Sequence, residues 1–133
     1  MTRFYPLGTP GQAWGAAEID QWRQRQLRQR SYAQDVLQAV EALHSHWDVV
    51  PYGEVVYGDE RFALQALRSR PWNAALPSVL VTGGVHGYET SGVHGALRFA
   101  QAHAAAYAGR VNLLVVPCVR RAAMNYSKPL PRC

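Results

Sequence analysis

Ser78-Val-Leu-Val-Thr82 is a short, nearly all-apolar run that stops at Gly83-Gly84, and this pairing constrains the chain more than any other segment. A run this short, rich in β-branched residues and closed by glycines, reads as a strand buried on both faces of an α/β sheet. Beyond the loop, Thr90 or Ser91 supplies a capping hydroxyl. The helix it starts carries Val93, Leu97, Ala100 and a string of alanines to about Ala108, and Gly109 is a natural stop. Val111 to Val116 returns as a second buried strand before Pro117. Strand, loop, helix, strand is a βαβ unit, for which parallel pairing and a right-handed crossover are expected.

The residues before this unit predict the elements that flank it. Thr9-Pro10-Gly11-Gln12 combines a capping hydroxyl with a proline at the first helical position, so a helix begins there or after Gly15 and runs to about Arg30. Ser31 with Gln34 repeats the capping pattern, and Tyr32, Val36, Val40 and Leu43 follow at helical spacing, which predicts an amphipathic helix over 32–45. Its apolar stripe needs a sheet to cover. Asp48–Tyr57 and Arg61–Arg68 flank Gly58-Asp59-Glu60 and predict a hairpin. Arg68 to Pro77 is a polar connection. No internal repeat and no low-complexity block is present.

With 133 residues the chain suits one modest domain with a real core. Lys and Arg outnumber Asp and Glu by 14 to 9, giving a net charge of +5, which alone could suggest an acidic partner. Much of that excess is local, in Arg23, Arg25, Arg28 and Arg30 and in Arg120, Arg121, Lys128 and Arg132. The first cluster reads as the solvated face of a helix whose other side carries Ile19, Trp22 and Leu27, with no nucleic-acid motif beside it. Cys118 and Cys133 form no paired framework, so a reducing cytoplasm is expected. No segment approaches the roughly 20 apolar residues of a membrane span, and Met1 to Pro10 lacks a signal-peptide run.

Chemistry concentrates in Gly83-Gly-Val-His86-Gly-Tyr-Glu89, where strand gives way to helix, the place where α/β proteins hold their ligands. Imidazole nitrogen and carboxylate oxygen bind zinc at about 2.0–2.2 Å, and a His and a Glu three residues apart across a tight loop can converge on one ion. Glycines at 83, 84 and 87 permit the sharp turn. The competing reading is a glycine-rich turn whose carboxylate only favours the dipole of the next helix. The strand before and the helix after support the metal reading.

This segment, with Leu-Pro-Ser-Val-Leu-Val-Thr-Gly-Gly before it and Val111-Asn-Leu-Leu-Val-Val-Pro-Cys118 after it, resembles the zinc metallocarboxypeptidase family, the carboxypeptidase A-like fold. The resemblance covers about Pro6 to Val119. It implies an α/β fold with a mixed, largely parallel sheet and flanking helices, of which this chain holds the first part. It also implies that His86 and Glu89 are the first two ligands of one zinc ion. The family's reaction is removal of a C-terminal residue by a zinc-activated water, with a second Glu as base and arginines holding the terminal carboxylate. A peptide or small amide substrate is therefore expected, and neither nucleic acid nor a membrane.

The family's later parts do not follow. After Val119 comes Arg-Arg-Ala-Ala-Met-Asn-Tyr-Ser-Lys-Pro-Leu-Pro-Arg-Cys133, without the carboxylate-binding Asn-Arg, the third-ligand His or the catalytic Glu. The change is read as a shifted reading frame or an early stop, so residues 1–119 form the N-terminal part of the catalytic domain and 120–133 a disordered tail. Beyond Glu89 the only histidines are His94 and His103, and no Asp or Glu occurs. On a helix starting near Glu89, His94 is rotated about 140° away and His103 lies roughly 21 Å along the axis. Neither can share an ion with Glu89. The expectation is weak zinc binding and little or no turnover. Truncation is also expected to leave Val111–Val116 as an exposed sheet edge.

His44 and His46, at the end of the second helix, suit exposed carbonyls better than a metal. Tyr88 could line a cleft or pack over the helix start. Cys118 reads as an inert buried thiol. The related aspartoacylase and succinylglutamate desuccinylase group shares a His-Gly-x-Glu motif but favours Asn where Tyr88 stands, so it ranks second. A non-catalytic fragment or binding module is the alternative outside the hydrolases.

Overall fold

The computed structural model describes residues 7–25, 30–57, 59–86 and 90–119. Its centre is a four-stranded mixed sheet of β1 (Trp47–Tyr57), β2 (Glu60–Ser69), β3 (Ser78–Thr82) and β4 (Asn112–Val116), in the order β1-β2-β4-β3. The expected hairpin is present: β1 and β2 pair antiparallel from Trp47–Ser69 to Tyr57–Glu60, with a register shift between Pro51 and Gly53. β4 pairs antiparallel with β2 and parallel with β3, so the predicted parallel pair of the βαβ unit is also present.

Two expectations about the sheet are corrected. β4 is an interior strand, with Leu113 and Val115 buried, and is not an exposed edge. Among the described residues β3 is the outermost strand, and it is not buried on both faces: Val79 is 41% and Leu80 61% exposed. An all-apolar run matches a central strand by composition, but coverage depends on neighbours that local sequence does not name.

The helices depart from their predicted limits for local reasons. α1 (Ala16–Gln24) starts after Gly15, whose N–H donates to the Glu18 carboxylate at 2.9 Å. It buries none of its side chains, and Arg28 and Leu27 lie outside the described residues. The predicted second helix is present but begins as a π-helix over Ala33–Leu37 before tightening into α2 (Gln38–Glu41). Asp35 receives the Ser31 N–H at 2.9 Å, while Ser31 Oγ accepts from Gln34 N–H at 3.4 Å, so the start is closed by Asp35 as well as by the predicted pair. Tyr32, Val36, Val40 and Leu43 are all buried, as their spacing predicts.

α3 (Thr90–Ala102) buries Val93, Ala96, Leu97 and Ala100, then tightens to a 3-10 turn over Ala104–Tyr107. Gly109 has φ of 72°, which suits its role as the stop. One core joins these helices to the sheet, with Leu67 and Val115 fully covered beneath Val36, Val40 and Val93. The Tyr32 ring meets Phe62 edge-on at 6.2 Å and its hydroxyl donates to the Ala63 carbonyl at 2.9 Å, which ties the π-turn to β2. No helix among the described residues is long and apolar enough to cross a membrane.

The buried polar side chain of this core is Asn112, at the start of β4. Its Oδ1 accepts from Asn73 N–H at 2.9 Å, and its Nδ2 donates to the Asn73 and Leu76 carbonyls at 2.8 and 3.2 Å. A side chain thus does the work of a backbone partner and folds the polar connection against the sheet. Replacing Asn112 by Leu conserves volume but strands a buried N–H and two carbonyls, so it should cost about 1–3 kcal/mol. Urea unfolding would read this as a lower midpoint at unchanged slope.

Candidate metal centre

The turn that leaves β3 is held by backbone contacts on three sides. Gly83 N–H donates to the Val116 carbonyl at 2.8 Å, and the Gly83 carbonyl accepts from Val119 N–H at 3.0 Å, so the parallel ladder continues past both strands. A Cβ on Gly83 would stand 2.8 Å from the Pro117 carbonyl oxygen and nearer still to that of Gly92, in the first turn of α3. Gly84 has φ of 60°, and a Cβ there would meet Val93 Cγ2 at 2.8 Å and Cys118 Sγ at 3.0 Å. Strand, helix and the end of β4 therefore meet at a point that only glycines can occupy. The glycine run signals a sharp turn here, but the close packing of Gly83 on Gly92 is not visible in the sequence.

This turn delivers His86 to the surface at the carboxyl ends of the parallel pair β3–β4, where its side chain is exposed. Gly87, Tyr88 and Glu89 lie outside the described residues, and the predicted convergence of His86 and Glu89 lies outside them too. His94 and His103 are both exposed, on α3 and at its end. His44 is exposed as well, and His46 shares a 2.7 Å hydrogen bond with Ser45 Oγ through Nδ1. Among the described residues no group of three or more His, Cys, Asp or Glu could hold a metal ion. A hydrolytic zinc site uses three protein ligands and one open position. The described donors at this turn do not complete one.

Beneath the turn, Cys118 is buried and outside any disulfide, as expected of its position after β4. Tyr52 reaches from β1 and donates its hydroxyl to the Cys118 carbonyl at 3.3 Å. Burial of that hydroxyl, and secondarily Cys118 beside it, raises the Tyr52 pKa above 10.0. The ring itself is half exposed. Its hydroxyl is thus a neutral donor that ties β1 to the floor of the His86 turn, a contact across 66 residues that no local pattern signals.

The whole arrangement is that of the metallocarboxypeptidase-like fold. A protein from Shewanella denitrificans described as a candidate metallopeptidase matches with 28% identity and a TM-score of 0.55, over 76% of this chain and 36% of its own. A second, from Shewanella amazonensis, matches with 26% identity and a TM-score of 0.55, over 74% of this chain and 35% of its own. Bovine thrombin-activatable fibrinolysis inhibitor, solved in complex with tick carboxypeptidase inhibitor, matches at 15% identity and a TM-score of 0.54, over 75% and 34%. At that identity the last likeness concerns the fold alone. The chain spans about a third of the length of these solved structures. Neither a family profile nor a curated protein matches it.

Two outcomes follow from the packing of the turn. Gly83→Ala should destabilise the protein by about 1–3 kcal/mol, as overpacking does, whereas Gly95→Ala, in open space on α3, should stabilise it by up to about 1 kcal/mol. Thermal melts of the two variants beside the parent check the contrast.

The raised Tyr52 pKa gives a pH signature. The folded state holds the phenolic proton more tightly, so the stabilisation is complete below 10.0, the ordinary tyrosine value, and is lost as pH rises through the higher folded value. Tyr52→Phe should lower stability by about 0.5–1.5 kcal/mol at neutral pH. The loss between parent and variant should shrink in urea titrations carried above pH 10.0.

Proposed function

We propose that this chain carries the metal-anchoring turn of a zinc metallocarboxypeptidase-type hydrolase, with His86 and Glu89 as the first two ligands. The observation that supports this reading is the position of His86. It is exposed, at the carboxyl end of a parallel strand pair, on a turn locked by glycine packing against α3. α/β folds place ligands at that end of the sheet, and the fold itself is metallocarboxypeptidase-like. The substrate class is a peptide, or a related small amide, cleaved at its C-terminal bond.

Zinc in such a site would acidify a bound water and polarise a carbonyl. In this reading the turn supplies a pair of those ligands, and among the described residues no group of three or more metal-binding side chains is present. In this sequence no Asp or Glu follows Glu89, and the two later histidines are exposed, on α3 and just after its end. No hydrolytic step is therefore assigned to this chain's own side chains. Its proposed property is weak zinc binding with little or no turnover.

Zinc content by mass spectrometry, in the parent beside His86→Ala and Glu89→Ala, tests the reading. Losing one of two ligands should weaken zinc at least as much as the roughly 10–100-fold that changes to the groups supporting a ligand cost. Equal zinc in all three proteins would remove the metal site. Release of a C-terminal residue from model peptides at rates above a metal-free control would instead show that the ligand set is more complete than proposed.

A further inference from the structure

The register of the hairpin singles out Tyr52. Pro51 stands opposite Gln65 and Gly53 opposite Leu64, so Tyr52 is the extra residue of a bulge and falls between the paired positions. A bulge bends its strand and re-aims a side chain, and bulges recur beside active sites. Here the re-aimed side chain crosses β2. β1 and β4 are not neighbours in the sheet, yet the Tyr52 hydroxyl donates to the Cys118 carbonyl, just past the end of β4, at 3.3 Å. The ladder between β2 and β4 does not reach that far: it pairs Arg68 with Leu114 and Leu67 with Val115.

The Cys118 carbonyl and the Val119 N–H belong to one planar trans peptide unit, in which they point to opposite sides. The carbonyl accepts from Tyr52, and the N–H donates to the Gly83 carbonyl at 3.0 Å. A single rigid plane therefore hangs between the hairpin and the first residue of the metal turn. Each bond strengthens the other, because a carbonyl that accepts a hydrogen bond polarises its own amide and makes the N–H a better donor. Cys118 also sets the place of Gly84, where a Cβ would stand 3.0 Å from both Cys118 Cα and Cys118 Sγ. Gly84 lies two residues before His86.

We propose that Tyr52 is a positioning residue for the metal turn, fixing the direction of His86 through the Cys118–Val119 peptide unit. The inference rests on His86 being a zinc ligand, as proposed. A ligand must be held within about 0.5 Å of its productive place by groups that are themselves locked. Gly83 and Gly84 have no side chains to anchor the turn, so its backbone bonds carry the orientation. Tyr52 supplies a neutral hydroxyl to that network and no charge, so its effect on a metal is one of geometry.

Zinc affinity of the full chain, measured by competition with a chromophoric chelator, tests this in the parent, Tyr52→Phe, Asn112→Leu and His86→Ala. Loss of a group that orients a ligand weakens metal binding roughly 10–100-fold, and Tyr52 acts at one remove, so Tyr52→Phe should bind zinc about tenfold more weakly than the parent. Asn112→Leu disturbs the opposite end of β4 and should bind like the parent, which separates positioning from stability. Cobalt(II) in place of zinc should give altered visible bands in Tyr52→Phe and the parent spectrum in Asn112→Leu. Without metal, the Val119 amide should lose exchange protection relative to the sheet amides in Tyr52→Phe and keep its parent ratio in Asn112→Leu.

Zinc lost by His86→Ala but held equally by Tyr52→Phe and the parent would overturn this inference and leave the metal reading standing. Zinc held equally by His86→Ala and the parent would overturn that reading and the inference with it. Equal weakening by Tyr52→Phe and Asn112→Leu, or an unchanged Val119 amide in Tyr52→Phe, would reduce Tyr52 to a stabilising contact and overturn its positioning role.

Discussion

The backbone of Gly83 lies against the backbone of Gly92, and the arrangement of the βαβ unit depends on that approach. With any Cβ at Gly83, the first turn of α3 and the Pro117 carbonyl would have to move away. α3 would then lift from β3 and β4, uncovering Val93 and Val115 in the core. The same contact aims the chain after Gly84, so the direction of His86 is a by-product of how a helix seats on a sheet. Position of the candidate ligand and stability of the fold are set by the same few atoms.

β4 is the second dependency, because the hairpin and β3 meet only through it in the described sheet. It joins the hairpin to β3, donates its Leu113 N–H to Ser69 Oγ, and begins at Asn112, whose amide organises residues 73–78. Beyond its end, Pro117 to Val119 form the wall of the Gly83 turn, and the Cys118 carbonyl takes the Tyr52 hydroxyl from β1. Contacts of long sequence separation thus converge on a short segment. Parallel strands need such a hub, since a crossover brings them together without a hairpin to guide the register.

What was legible in the sequence was what depends on local periodicity. Tyr32, Val36, Val40 and Leu43 mark their buried stripe, Gly58-Asp59-Glu60 marks the hairpin, and the run ending at Gly83-Gly84 marks a strand before a ligand-bearing turn. What was hidden depends on partners far along the chain. The exposure of Leu80 follows from strand order, which no apolar run encodes. The π-start of the second helix is accompanied by Asp35 closing on Ser31 and by Tyr32 reaching β2, the latter a partner 31 residues away. Tyr52 meets the Cys118 carbonyl only because β1 brings it there, 66 residues away along the chain. For the site, residue types and their setting were readable, whereas the packing that orients His86 was not.

A fold positions chemistry without supplying it. The end of a parallel strand pair is a favoured address because strand and helix termini meet there, and a histidine delivered to it needs only neighbours of the right kind. Those neighbours must converge from separate segments, since a single helix following Glu89 presents later histidines on other faces or too far along its axis. His94 and His103 obey that geometry, both turned to solvent. The turn is therefore better built as an anchor for a metal than the surrounding residues are as a catalyst. The same holds for β3, whose apolar run is composed for a covered position while the described sheet leaves it open.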